Sequence, residues 1–136
     1  MNASLKNVLI AKQKWVVNNI MAEYTKVIAV DFDGTLFIDK WPEIGEPILP
    51  MINKAKKEQA NGAALILWTC RDGEDLERAV EACKKYGLIF NAVNANLPER
   101  IEKYKNDTRK IGADEYWDDR SIHPNKLIHE YWVEEL

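Results

Sequence analysis

The sequence is poor in soft metal ligands and in residues that could staple it. Only two cysteines, Cys70 and Cys83, occur in 136 residues. One ends an apolar run and the other sits on an apparent helix face, a distribution suited to packing in a reduced compartment rather than to a disulfide framework. A cytoplasmic location is the expectation that follows. Histidine is equally scarce: His123 and His129 are the only two, and neither stands in a HExxH or cysteine-rich context, which removes the usual zinc sets. No uninterrupted apolar stretch approaches the ~20 residues of a membrane-spanning helix, and no small-residue cleavage site follows a hydrophobic core near the N-terminus, so neither anchoring nor export is expected. A net charge of −3 is too mild for a surface that coats nucleic acid, although it leaves a nucleotide substrate open. Internal repeats, linkers and low-complexity segments are absent.

What is present is a globular composition, 46% hydrophobic and 30% charged, in a length that supports one hydrophobic core. The expected division is a helical extension over residues 1–24 and an α/β domain over residues 25–136. In the extension Leu5, Val8, Leu9, Trp15, Val16 and Ile20 recur at helical spacing, so its apolar stripe must cover either the domain's own sheet or another subunit, which would make a homo-oligomer. Met21 offers a second start that keeps every candidate named below.

From Lys26 onward, apolar runs alternate with amphipathic segments. Val27 to Val30 and Ala63 to Trp68 are unbroken apolar stretches, as strands buried on both faces of a parallel sheet require. Helices are predicted over 50–60, after Asp72 as a cap until Gly87, and over 98–105; shorter strands are predicted over 88–93 and 113–117. Residues 37–47 read as a loop able to serve as a flap, and the acidic end from Glu130 to Leu136 as a solvated helix turn. The order βαβαβαβ with right-handed crossovers predicts a three-layer αβα sandwich around a central parallel sheet.

Ligands of such sheets bind beyond the carboxyl ends of the strands. Three of the apolar runs end in reactive residue types: Asp31 and Asp33, then Thr69, then Asp118 and Asp119. Four carboxylates on one rim repel one another at neutral pH unless a cation sits among them, and Mg2+ suits an all-oxygen set that keeps waters and a substrate phosphate. Gly34 implies a turn that lets Asp31 and Asp33 converge on one phosphate. Asp31 can then attack phosphorus, while Asp33 acts as acid and later as base, a role that needs a pKa raised by anionic neighbours and partial burial. Gly34, Thr69 and Arg71 are the expected substrate contacts, with Arg71 meeting a second anionic group. Lys110, eight positions before Asp118, is the expected charge-neutralising lysine, with Lys105 and Lys103 as alternatives. Cys70, Trp15, Trp117 and Trp132 read as packing residues, and both histidines as surface or packing groups.

In Asp31-Phe32-Asp33-Gly34-Thr35, Leu67-Trp68-Thr69, Lys110 and Asp118-Asp119, in that order, the sequence resembles the haloacid dehalogenase (HAD) superfamily of phosphatases over roughly residues 26–122. The resemblance implies a Rossmann-type HAD fold, Asp31 as nucleophile, Asp33 as acid and base, and Mg2+ held by Asp31, the Asp33 main-chain carbonyl and Asp118, with Asp119 in support. It departs from typical members in the short interval between Lys110 and Asp118. The intervals between motifs leave no room for a large cap domain. The expected function is a phosphomonoesterase working through an aspartyl-phosphate on a nucleotide, a sugar phosphate or a nucleic-acid end. Two rivals are a receiver-like phospho-acceptor domain, whose motif order differs, and a non-catalytic binding module on the same fold.

Overall fold

In the computed structural model, residues 4–13 and 25–134 are described. The first of these stretches is helical (α1), and every one of its residues is exposed; the remaining residues of the predicted extension, Trp15, Val16, Ile20 and Met21 among them, lie outside the described residues.

The central sheet is parallel, formed by β1 (Val27–Val30), β4 (Ala64–Leu67), β5 (Ala92–Val93) and β6 (Glu115–Trp117) in the order β5-β4-β1-β6. All eight residues of β1 and β4 are buried. That burial explains their unbroken apolar sequence, because side chains of both parities face a covered layer. Ile28, Val30, Leu65 and Leu67 point into one cluster with Ile52 and Ala55 of α2 (Leu49–Ala60) and Ala79 and Cys83 of α3 (Gly73–Lys85). The opposite parity, Val27, Ala64 and Ile66, packs with Leu97 and Ile111, which flank α4 (Pro98–Tyr104) and the loop that follows it. The sheet is thus covered on both faces, as an αβα sandwich requires. A fifth helix, α5 (Pro124–Glu134), follows β6 and is longer than the predicted terminal turn. No described helix is long and apolar enough to cross a membrane.

Residues 37–47, predicted as a loop, form an antiparallel hairpin of β2 (Phe37–Lys40) and β3 (Glu43–Pro47). Its ladder shifts register between Phe37 and Asp39. At the shift Gly45 lies so close to the partner strand that a Cβ would stand 1.9 Å from the Ile38 carbonyl oxygen, an approach only glycine permits. Phe37 anchors the hairpin: it is buried, stacked on Phe32 at 4.7 Å between ring centroids and edge-on to Tyr86 at 5.8 Å.

Candidate active site

The chain runs from β1 to β4 and β5 on one side of the sheet and then crosses to β6 on the other side of β1. The crevice between the ends of β1 and β6 is therefore the topological switch point, where open α/β sheets bind ligands. Register brings the two ends level. Val30 pairs with Trp117 and with Leu67, and the Asp31 N–H donates to the Trp117 carbonyl at 2.9 Å. Asp31 and Asp118, far apart in sequence, are thereby placed side by side.

Asp31, Asp118 and Asp119 each offer a carboxylate oxygen within 4.8 Å of the others, a grouping able to hold a metal ion. Thr35 ties the cluster together: its buried hydroxyl donates to Asp31 Oδ2 at 3.3 Å and accepts the Asp119 N–H at 3.1 Å. Gly34, at φ +85°, lies under the Asp119 carboxylate, and a Cβ there would stand 2.3 Å from Oδ2. Burial pushes the Asp31 carboxyl up from 3.8 to about 6; the negative charges of Asp118 and Asp119 add to the rise, and a hydrogen bond from the Phe32 backbone opposes it. A site of this kind is electrostatically strained until positive charge enters it.

Asp31, Asp33, Thr69 and Asp118 line one cavity of about 340 Å3 together with Asp39, Trp41, Cys70 and Arg120. Thr69 Oγ1 accepts the Arg71 N–H at 3.2 Å, which leaves the hydroxyl proton free to donate outward, and the Thr69 N–H is held by Asn94 Oδ1 at 2.8 Å. Asn94, at φ 51°, also donates to the Arg71 carbonyl and so shapes the whole 69–71 turn.

Arg71 is not aimed at the cavity as expected for an anion-binding group. It is 2% exposed, and its five donors are all engaged. Nε and Nη2 grip Asp33 Oδ2 and Oδ1, both at 2.8 Å; Nη2 also donates to the Glu43 carbonyl at 2.7 Å, and Nη1 to those of Pro42 at 2.9 Å and Asp75 at 3.5 Å. The guanidinium is an internal clamp that joins the second aspartate of the motif to the turn of the hairpin and to α3. Asp33 accordingly has a cation as its charged partner rather than the anionic neighbours expected, and its side chain, 18% exposed, stays in the cavity wall. Its carboxylate stands apart from the three that cluster.

Lys110 does not line that cavity. Its Nζ lies over the Tyr116 ring at 5.5 Å, in a neighbouring cleft that shares Asp118 and includes Trp68. Lys105 pairs with Glu102 at 2.7 Å on the surface, and Lys103 lines a cleft with Thr25, Val27 and Ala64 at the opposite end of the sheet. Of the three lysines weighed, Lys110 alone shares a cleft with the acidic rim. Cys70 is exposed rather than packed, because β4 has already ended at Leu67. Thr35 and Asn94 were missed. Thr35 belongs to the recognised motif but carried no assigned role, and nothing in the sequence announces that Asn94 reaches back over the turn after β4.

These features define an α/β protein with an acidic site at its switch point. The chain is similar to a conserved protein coded by a locus of Bacteroides thetaiotaomicron: 38% of residues are identical over 83% of this chain and 93% of that one, and the structures superpose with a TM-score of 0.65. It belongs to one family with that protein. No family model and no curated protein matches the chain.

Proposed function

We propose that this protein is a Mg2+-dependent phosphohydrolase of the HAD type, without a large cap, that hydrolyses a phosphomonoester through an aspartyl-phosphate on Asp31. The observation that carries the reading is the convergence of Asp31, Asp118 and Asp119 to within 4.8 Å at the switch point. The all-oxygen donor set fits a hard divalent cation, and the exposure of Asp118 and Asp119 leaves room for waters and a phosphate oxygen. When bound, the ion supplies positive charge that draws Asp31 into its ionised form and stabilises the transferring phosphoryl group.

Each side chain then has a task. An Asp31 carboxylate oxygen attacks phosphorus, forming the acyl-phosphate bond as the bond to the leaving oxygen breaks. Asp33, which must first take up a proton against the opposing charge of Arg71, delivers it to that oxygen and afterwards takes one from the water that attacks the aspartyl-phosphate, releasing inorganic phosphate and free Asp31. Two lone-pair positions remain on the Asp33 carboxylate beyond those used by Arg71, which fixes its orientation for both transfers. The Thr69 hydroxyl donates to a phosphoryl oxygen and Thr35 holds Asp31 in line; Lys110 stands in the neighbouring cleft and must swing off Tyr116 to serve the transferring charge.

The test is phosphate release from a generic aryl phosphate with Mg2+ and with chelator. Activity should require the ion and disappear in Asp31→Asn. An Asp31→Asn protein as active as the parent would remove Asp31 from the nucleophilic role.

A further inference from the structure

The cavity that holds Asp31 and Asp118 is also lined by Trp41, a residue 63% exposed. An indole left largely in water contributes little to the core, and Trp41 belongs to neither buried cluster. Its backbone is nevertheless held firmly. The Trp41 N–H donates to Asp39 Oδ1 at 3.1 Å, and the next two carbonyls, those of Pro42 and Glu43, are gripped at 2.9 and 2.7 Å by the buried Arg71 clamp. The same guanidinium holds Asp33. The turn bearing the indole and one of the site's carboxylates are thus fixed to one group, so the backbone from which the indole projects is ordered before any ligand arrives.

The remaining chemistry of the wall narrows what that surface meets. Asp33, Asp39 and Trp41 line the same cavity as Asp31, outside the Asp31, Asp118 and Asp119 cluster. The hydrogen-bonding groups of Asp33, Asp39 and Arg120 suit hydroxyls, while the indole offers a flat apolar face. A volume of about 340 Å3 lies at the small end of ligand cavities, enough for the phosphate and a sugar with a ring reaching out onto the exposed indole.

We propose that Trp41 is the stacking platform of a subsite for the aromatic ring of a phosphomonoester, and that the substrate class is the nucleoside monophosphates. The inference rests on the phosphohydrolase reading for the position of the phosphate, but its test separates the two. The intact protein with Mg2+ is titrated calorimetrically with the methylene phosphonate analogues of adenosine 5′-monophosphate and of ribose 5-phosphate, whose phosphorus–carbon bond resists hydrolysis. The adenosine analogue should bind about five-fold or more tightly than the ribose analogue, the lower end of what one base stacked on an aromatic side chain contributes. Trp41→Ala should erase that ratio without changing affinity for the ribose analogue, and Trp41→Phe should retain part of it. Equal affinities in the parent, or a Trp41→Ala protein that weakens both analogues alike, would overturn the platform alone. Failure of both analogues to bind would overturn it, whereas the phosphohydrolase reading stands or falls on Mg2+-dependent phosphate release from the aryl phosphate. A Trp41-dependent preference in a protein that releases no phosphate from adenosine 5′-monophosphate would leave the subsite standing and overturn nucleoside monophosphates as the substrate class.

Discussion

At Gly34 the absence of a side chain sets the position of a carboxylate: the backbone is left-handed and Asp119 Oδ2 occupies the volume a Cβ would take. Gly34→Ala should therefore cost about 1–3 kcal/mol in denaturant unfolding and displace Asp119, lowering Mg2+ affinity in the same protein. Asp31 carries the opposite kind of cost. Its folded-state pKa lies above its ordinary value, so the native chain binds the proton more tightly than the unfolded one between pH 3.8 and about 6. This contribution to stability is full below that window and is lost as pH rises through it. Asp31→Asn removes the penalty. In chelator at pH 7 the variant should be more stable than its parent by between about 1 and 3 kcal/mol, the upper figure being the unscreened value, and the gap should close towards pH 4. A parallel pH dependence in both proteins would show that the strain lies elsewhere. Thiol chemistry offers a third check at this scale. Cys70 is exposed in the cavity wall, whereas burial pushes Cys83 up to about 12. Maleimide should label Cys70 alone in the native protein, and the labelled protein should lose Mg2+-dependent phosphate release.

Among the elements, the hairpin depends most on a single residue outside itself. Arg71→Ala strips partners from the Pro42, Glu43 and Asp75 carbonyls and leaves Asp33 without its cation. A loss of roughly 3–5 kcal/mol is expected in unfolding experiments, with early proteolytic cutting near residues 40–44, and Arg71→Lys should recover little because one ammonium cannot reproduce the fork. The elements that were readable from sequence are those whose faces are covered. β1 and β4 announce themselves because both parities are apolar, and the rims they end in, Asp31 and Thr69, follow directly. The hairpin was unreadable because residues 38–43 are all exposed and polar or isolated in character, so no period-2 pattern survives. The direction of Arg71 was hidden for another reason: a guanidinium four residues beyond a strand's end has the same sequence context whether it faces a ligand or turns inward. Only the carbonyls of a distant hairpin decide it.

For the whole molecule, the division into layers was legible, since two buried clusters lie on opposite faces of a parallel sheet. The spatial order of strands was not, because sequence order is silent on which side of β1 the last strand inserts. That insertion beside β1 makes the site a property of the folded domain, and ligand binding should report on global stability. Mg2+ at a hundred times its dissociation constant should raise unfolding free energy by about 2.7 kcal/mol, and Asp118→Asn should abolish most of the gain.

Asp31 finds its partners only when β6 and the residues through Asp119 dock, the Trp117 carbonyl accepting the Asp31 N–H and the Asp119 N–H donating to the Thr35 hydroxyl, so a chain still emerging from the ribosome holds Asp31 without its acidic partners for most of synthesis. On the proposed reading, Asp31 gains its function only once the chain has been made through Asp119 and β6 has docked beside β1.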